Sequence, residues 1–189
     1  VRTPLTFSNS YGLPYDPREV DWSVTDQLLY TRVSGVNQLA LQRRIAALER
    51  AEDAVVLASG VAATHAVLFT YLNSGDHVVV SREVYEATYN LFVELLPRKF
   101  GITADLVDIT DLDAVRAAIR PETKLLFVES IANPTTTIAD VPALSALAHS
   151  SDLLLVVDAT YTPPPRFRAL EHGADLVIHS LTKYINGHG

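Results

Sequence analysis

Three short stretches carry residue types that chemistry needs. Ser59-Gly60-Val61-Ala62-Ala63 follows an apolar run and opens an apolar helical stretch, so its backbone N–H groups would converge with the positive end of a helix dipole. A phosphate suits such a cradle, with Gly60 allowing close approach and Ser59 adding a hydroxyl. Taken alone, the same residues make an ordinary N-cap and a tight strand-to-helix turn. Asp158 ends the run Leu153-Leu154-Leu155-Val156-Val157, and a carboxylate at the rim of an apolar core needs a cationic or proton-donating partner. A helix cap, a salt bridge or a metal site would explain it equally well. Lys183, in His179-Ser180-Leu181-Thr182-Lys183-Tyr184, is accompanied in the whole chain only by Lys99 and Lys124. A lysine amine can form a Schiff base when its surroundings favour the neutral form, which arginine cannot do, although a single lysine is more often a solvated surface residue. Together the three stretches say more. A phosphorylated pyridine aldehyde needs an amine for its aldehyde, a carboxylate for its ring nitrogen, and hydroxyl and N–H groups for its phosphate, and Ser180 and Thr182 flank the lysine.

These residues must be held by a scaffold, and the hydrophobic pattern predicts one. Apolar residues recur at helical spacing from Gln38 to Ala51. Beyond it, short continuous apolar runs alternate with helical stretches. The runs are Ala54–Ala58, His77–Ser81, Thr103–Val107, Leu125–Glu129, Leu153–Asp158 and Leu176–His179. The helices are expected over Gly60–Leu72, Glu83–Leu96, Leu112–Ile119 and Val141–Ala148. Continuous rather than alternating apolar runs predict parallel strands covered on both faces, hence an α/β, doubly wound sheet. Ligands of such sheets collect beyond the carboxyl ends of the strands, which is where Ser59, Glu129, Asp158 and the Ser180–Lys183 stretch fall. The first stretch, with Pro4, Pro14 and Pro17 and no sustained periodicity, reads as an extended N-terminal arm.

Composition narrows the field. The chain has 189 residues, 48% hydrophobic and 20% charged, as globular proteins do. Its net charge of −7 argues against broad binding of nucleic acid or anionic membranes. Cysteine is absent, which removes disulfides, thiolate metal ligands and a cysteine nucleophile. No apolar run approaches the roughly 20 residues that span a bilayer, so the chain reads as soluble. The histidines are scattered and predict no metal site; His65, on an apolar helix, is expected to pack. Methionine is absent even at position 1, and the chain ends in a loop-like Gly187-His188-Gly189, which reads as a fragment of something longer.

The sequence resembles the pyridoxal-phosphate enzymes of cysteine and methionine metabolism, the transsulfuration group that includes cystathionine γ-synthase, cystathionine lyases and methionine γ-lyase. The resemblance runs from Tyr30-Thr31-Arg32 through Ser59–Ala63, Tyr85, Glu129-Ser130-Ile131-Ala132-Asn133-Pro134 and Asp158-Ala159-Thr160-Tyr161 to His179–Tyr184. It implies a fold-type I large domain over residues 38–189, incomplete at its end, preceded by an arm over 1–37 that contacts a partner subunit. It further implies that Lys183 holds pyridoxal 5′-phosphate as a Schiff base and shuttles protons. Asp158 would keep the pyridine nitrogen protonated, and Tyr85 would stack on the ring and assist proton transfer. Ser59, Gly60, Val61, Ser180 and Thr182 would bind the phosphate, and Asn133 would sit near the cofactor phenolate oxygen or the substrate carboxylate. For Tyr85 a core aromatic, and for Asn133 a turn before Pro134, are the structural alternatives. Tyr30 and Arg32 would reach the phosphate of a neighbouring subunit, giving shared active sites in a cytoplasmic homotetramer built as a dimer of dimers.

The implied reaction is β- or γ-elimination or γ-replacement on an amino acid such as cystathionine, a homoserine ester or a related sulfur compound. An aminotransferase of the same fold shares the Asp, Lys and phosphate cradle, and a non-catalytic cofactor-binding remnant is a further alternative. The family pattern is not followed everywhere. Gly35-Val36-Asn37, Val61, Glu86 and Ala159 replace the family's Asn-Pro-Thr, Met, Gly and Asn, and Ala87 stands where methionine γ-lyases carry cysteine, which argues against that activity. The arginine that binds the substrate carboxylate is expected beyond Gly189, so the fragment is not expected to turn over by itself.

Overall fold

Five parallel strands, ordered β2-β1-β3-β4-β5, form the sheet on which the rest is organised. In this computed structural model residues 4–21 and 28–188 are described; the parts of the expected arm at 1–3 and 22–27, and the terminal Gly189, lie outside them. The chain divides into two compact units, Val1–Val56 and Leu57–Gly189.

In the first unit, the described arm residues lack regular structure apart from a 3-10 turn, Pro17–Glu19, capped by the Asp16 carboxylate. An antiparallel bridge joins Ser10 to Tyr30. The arm is tied to the start of α1 (Val36–Glu49) where Thr6 and Asn37 exchange two hydrogen bonds, at 3.1 and 2.9 Å. The helix begins two residues before the periodicity predicts, because extended Gly35 serves as its N-cap, and it stops where Arg50 turns left-handed.

The second unit holds α2 (Gly60–Tyr71), β1 (His77–Ser81), α3 (Glu86–Asn90), β2 (Thr103–Val107), α4 (Leu112–Ala118), β3 (Thr123–Glu129), α5 (Val141–Ser150), β4 (Leu154–Asp158) and β5 (Leu176–Ile178). Successive strand residues point to opposite faces, and both faces are covered, so the strands are apolar without a break. Leu126, Val128, Leu155 and Val157 pack with Val115 of α4 and Val141 and Leu144 of α5. Their neighbours Leu125, Phe127 and Val156 pack on the other side with Leu68 of α2 and with Phe92 and Leu96. These two cores fix the strands, and thereby their carboxyl ends.

Two expectations change. Ala54–Ala58 is no strand: it has no ladder partner among the described residues, and Val55 and Leu57 are 75% and 39% exposed. The helix expected over Glu83–Leu96 is α3 followed by a π-helical stretch, Leu91–Phe100, that ends at left-handed Gly101. Pro97 lies inside this stretch; it has no N–H to donate and its ring would clash with an α-helical carbonyl, strain that a wider turn relieves. Among the described residues no helix is long and apolar enough to cross a membrane.

Candidate active site

The crossovers leaving β1 and β3 take opposite faces of the sheet. The β1–β2 connection packs with α2 in one core, while α4 and α5 pack in the other. Between β1 and β3 the strand order therefore reverses, which opens a crevice at the carboxyl ends. A cavity of about 320 Å³ lies at the carboxyl end of the sheet, lined by residues following β1, β3, β4 and β5 and by the N-terminus of α2.

At the start of α2, the Ser59 hydroxyl accepts a hydrogen bond from the Ala62 N–H at 3.1 Å, and the Ser59 carbonyl accepts one from Ala63. The N–H groups of Gly60 and Val61 keep no partner among the described residues and open on the cavity. A side chain at position 60 would force the two segments apart, because its Cβ would fall 2.8 Å from Ser180 Cβ. Glycine is thus what lets the helix terminus meet the loop after β5, where the Ser180 and Thr182 hydroxyls lie 2.9 Å apart. Two N–H groups and two hydroxyls on one wall can bind a dianion.

Asp158 stands at the end of β4, and burial raises its pKa. The Thr160 N–H and hydroxyl, both donating to Oδ1 at 3.0 and 2.5 Å, and the nearby His179 oppose that rise. With both of these bonds on Oδ1, the other oxygen is left for the cavity, and a partly buried carboxylate is best neutralised by a cationic N–H. Thr160 reaches further, because its hydroxyl accepts the Ser180 N–H at 2.9 Å. A single chain of hydrogen bonds thus runs from Ser180 through Thr160 to Asp158 and fixes the anion wall relative to the carboxylate.

Glu129 ends β3, in register with Asp158. It is 5% exposed, and burial, reinforced by the neighbouring Asp158 charge, pushes its pKa up to about 7. The Tyr85 N–H donates to Oε1 at 2.6 Å and the Asn133 N–H to Oε2 at 3.3 Å, which holds the rise in check. Tyr85 is 47% exposed, and Lys183 is exposed just after the Ser180–Thr182 pair; both line the cavity with Asn133.

The structure therefore brings together Ser59, Gly60, Val61, Tyr85, Asn133, Asp158, Ser180, Thr182 and Lys183. Tyr30 and Arg32 are not among the lining residues; they belong to the Val1–Val56 unit, where the Arg32 guanidinium lies 5.3 Å over the Tyr30 ring. Sequence reasoning assigned no role to Glu129 or Thr160. The signal for Glu129 was the one that marked Asp158, a carboxylate closing an apolar run, and for Thr160 it was the Asp-x-Thr spacing of a side-chain turn. Among the described residues no group of three or more His, Asp and Glu residues could hold a metal ion.

An anion wall, a buried carboxylate and an amine around one cavity match the phosphate, ring nitrogen and aldehyde of pyridoxal 5′-phosphate. The family model for Cys/Met metabolism PLP-dependent enzymes matches residues 1–189. The chain belongs to this family. Enzymes of the Cys/Met metabolism family act on amino acids with pyridoxal phosphate as cofactor, and the parallel five-stranded sheet described above is that of their fold-type I large domain. The chain is 60% identical over 189 residues to a canavanine γ-lyase of Rhizobium leguminosarum bv. trifolii, covering 100% of this chain and 47% of that protein. It is 43% identical over 162 residues to an L-methionine γ-lyase of Fusobacterium nucleatum subsp. polymorphum, covering 85% and 41%. Among solved structures, cystathionine γ-lyase from Lactobacillus plantarum complexed with L-serine superposes with a TM-score of 0.88 at 33% identity, covering 98% of this chain and 46% of that one. An O-acetylhomoserine (thiol)-lyase from Campylobacter jejuni, whose structure contains a pyridoxyl-lysine phosphate group, gives a TM-score of 0.88 at 30% identity, with 99% and 46% covered. The chain spans about half the length of the curated relatives it matches.

Proposed function

We propose that the protein of which this chain is part is a pyridoxal-phosphate-dependent γ-lyase that acts on an amino acid bearing a heteroatom leaving group at Cγ. The observation that carries this reading is the meeting of Lys183, Asp158 and the Gly60/Ser180 wall around one cavity, from three separate parts of the chain. Within the class, identity supports a canavanine-type substrate. Two canavanine γ-lyases match at 60% and 58% over the whole chain, against 43% over 162 residues for a methionine γ-lyase. The sequence pattern alone had pointed to sulfur amino acids, and canavanine differs in carrying a guanidinooxy group instead of sulfur.

Each residue has a part. The N–H groups of Gly60 and Val61 and the hydroxyls of Ser180 and Thr182, assisted by Ser59, would bind the phosphate. Asp158 would hold a proton on the ring nitrogen, with Thr160 keeping its carboxylate oriented. Tyr85 would cover one ring face, and Asn133 would hydrogen-bond near the cofactor phenolate oxygen or the substrate carboxylate. Lys183 would carry the cofactor and, through Nζ, move a proton from the substrate Cα toward its neighbouring carbons. When bound, the cofactor supplies an electron sink for the charge left at Cα. Tyr30 and Arg32 would bind the phosphate of a neighbouring protomer, in a cytoplasmic homotetramer with shared sites and an arm over residues 1–37; the family resemblance supports these points.

The test is a substrate panel on the full-length holoenzyme: canavanine, methionine, cystathionine and O-succinylhomoserine. The highest kcat/KM is expected for canavanine. Faster turnover of a sulfur substrate would overturn the substrate assignment, and amino transfer to a 2-oxo acid without elimination would overturn the reaction class.

A further inference from the structure

The two loops that present Tyr85 and Asn133 leave adjacent strands and run to opposite faces of the sheet, so the fold alone does not fix one relative to the other. A buried side chain spans them. Glu129 gives one carboxylate oxygen to each: Oε1 to the Tyr85 N–H at 2.6 Å and Oε2 to the Asn133 N–H at 3.3 Å. At 5% exposure it has almost no competing water. We propose that Glu129 is a positioning residue, a buried staple that locks the loop after β1 to the loop after β3 and thereby sets where Tyr85 and Asn133 stand in the cavity. The inference rests on the cofactor-binding reading above.

Three further observations support it. A carboxylate is costly to bury, and a strand end in this core would be filled more cheaply by an apolar residue unless its hydrogen bonds were needed. Glu129 stands beside a second carboxylate, Asp158, in register on β4, which raises that cost. The same two loops are joined again at the surface, where the Thr135 hydroxyl donates to Glu83 at 2.7 Å. That outer contact is open to solvent, where water competes for both groups, whereas the inner one is buried.

The glutamine variant separates the possibilities, because an amide matches the shape of the carboxylate but keeps one acceptor, and its NH₂ would face an N–H. In full-length E129Q, hydrogen exchange of the apo form should show protection lost about tenfold at the Tyr85 or the Asn133 amide. In the holoenzyme, cofactor should still attach at Lys183. Its induced circular dichroism should weaken and kcat should fall about tenfold, with KM changing much less. E83Q should leave all three near wild type. Wild-type protection at both amides of E129Q would overturn the staple. Lost protection with unchanged dichroism and kcat would overturn the positioning role and leave Glu129 merely structural. Should E129Q not fold, wild-type apo protein decides: protection above that of neighbouring loop amides is expected at both Tyr85 and Asn133, and its absence overturns the proposal. The exchange arm needs no cofactor, so failure to bind pyridoxal phosphate would strike the functional reading without touching the staple.

Discussion

Glu129 and Asp158 face one another across the β3–β4 ladder as register partners, two carboxylates side by side at the end of an apolar sheet. The core below them makes ionisation costly, and each charge makes the other's worse. Glu129 bears this most visibly, with a pKa of about 7 against an ordinary 4.5.

That shift fixes a pH dependence. An acid whose folded pKa lies above its unfolded value contributes stability that is full below the unfolded value and is lost as pH climbs through the folded one. For Glu129 the window runs from 4.5 to about 7, and a gap of that size amounts to roughly 3 kcal/mol. In denaturant titrations of the apo protein across this window, the stability of wild type relative to E129Q should fall with rising pH by about this amount. An unchanged slope in E129Q would contradict the assignment.

His77 acts in the opposite sense. It is 1% exposed at the start of β1, with Nδ1 2.8 Å from Thr123 Oγ1 and Nε2 3.5 Å from an Asp105 carboxylate oxygen. Burial lowers its pKa, followed by the Arg120 charge, against smaller opposing effects of Asp105 and Glu122. Stability from a histidine of depressed pKa is present above the unfolded value of 6.5 and is lost as pH falls below it. The variant H77N, which does not titrate, should be less stable near neutrality yet flatter below that pH; a slope as steep as wild type would remove His77 as its source.

Gly60 tests the anion wall. A methyl group there would meet Ser180 Cβ at 2.8 Å, an overpacking that costs about 1–3 kcal/mol and must part the helix terminus from the loop. In G60A the dissociation constant for pyridoxal phosphate, measured by titrating the apo protein, should rise about tenfold or more. Wild-type affinity would show that the wall does not touch the phosphate.

Glu86 offers a test of the proposed substrate. It opens α3 directly after Tyr85 and is exposed, where the family pattern has glycine. A protonated guanidinooxy group near Tyr85 would be attracted to it, and an exposed pair of this kind is worth roughly a two- to fivefold change in binding. E86Q should raise KM for canavanine by that factor, with added salt erasing the difference, and should leave KM for methionine unchanged. Equal effects on both substrates would contradict a role in recognising the cation.

Much of this was legible before any coordinates. The five strands could be read because a sheet buried on both faces leaves unbroken apolar runs, Asp158 because a charge at the end of such a run is conspicuous, and Lys183 because lysine is scarce in the chain. Ala54–Ala58 has the same composition and misleads, since an apolar run becomes a strand only when another strand pairs with it. Pro97 was visible, but a proline inside a helical pattern can stop, kink or widen the helix, and spacing does not say which. Thr160 and Glu129 were legible as residues and illegible as devices: one acts by touching both Ser180 and Asp158, the other by touching two loops, and sequence spacing encodes neither contact. The leaving group of the substrate was not legible either, because the residues singled out in the sequence were matched to the cofactor and not to the substrate side chain.

The central claim is covalent, and its most direct test is chemical. Full-length protein incubated with pyridoxal 5′-phosphate, reduced with borohydride and digested should carry the phosphopyridoxyl mass on the peptide containing Lys183, and K183A should carry none. Label confined to Lys99 or Lys124, or an unlabelled and colourless protein, would contradict the account.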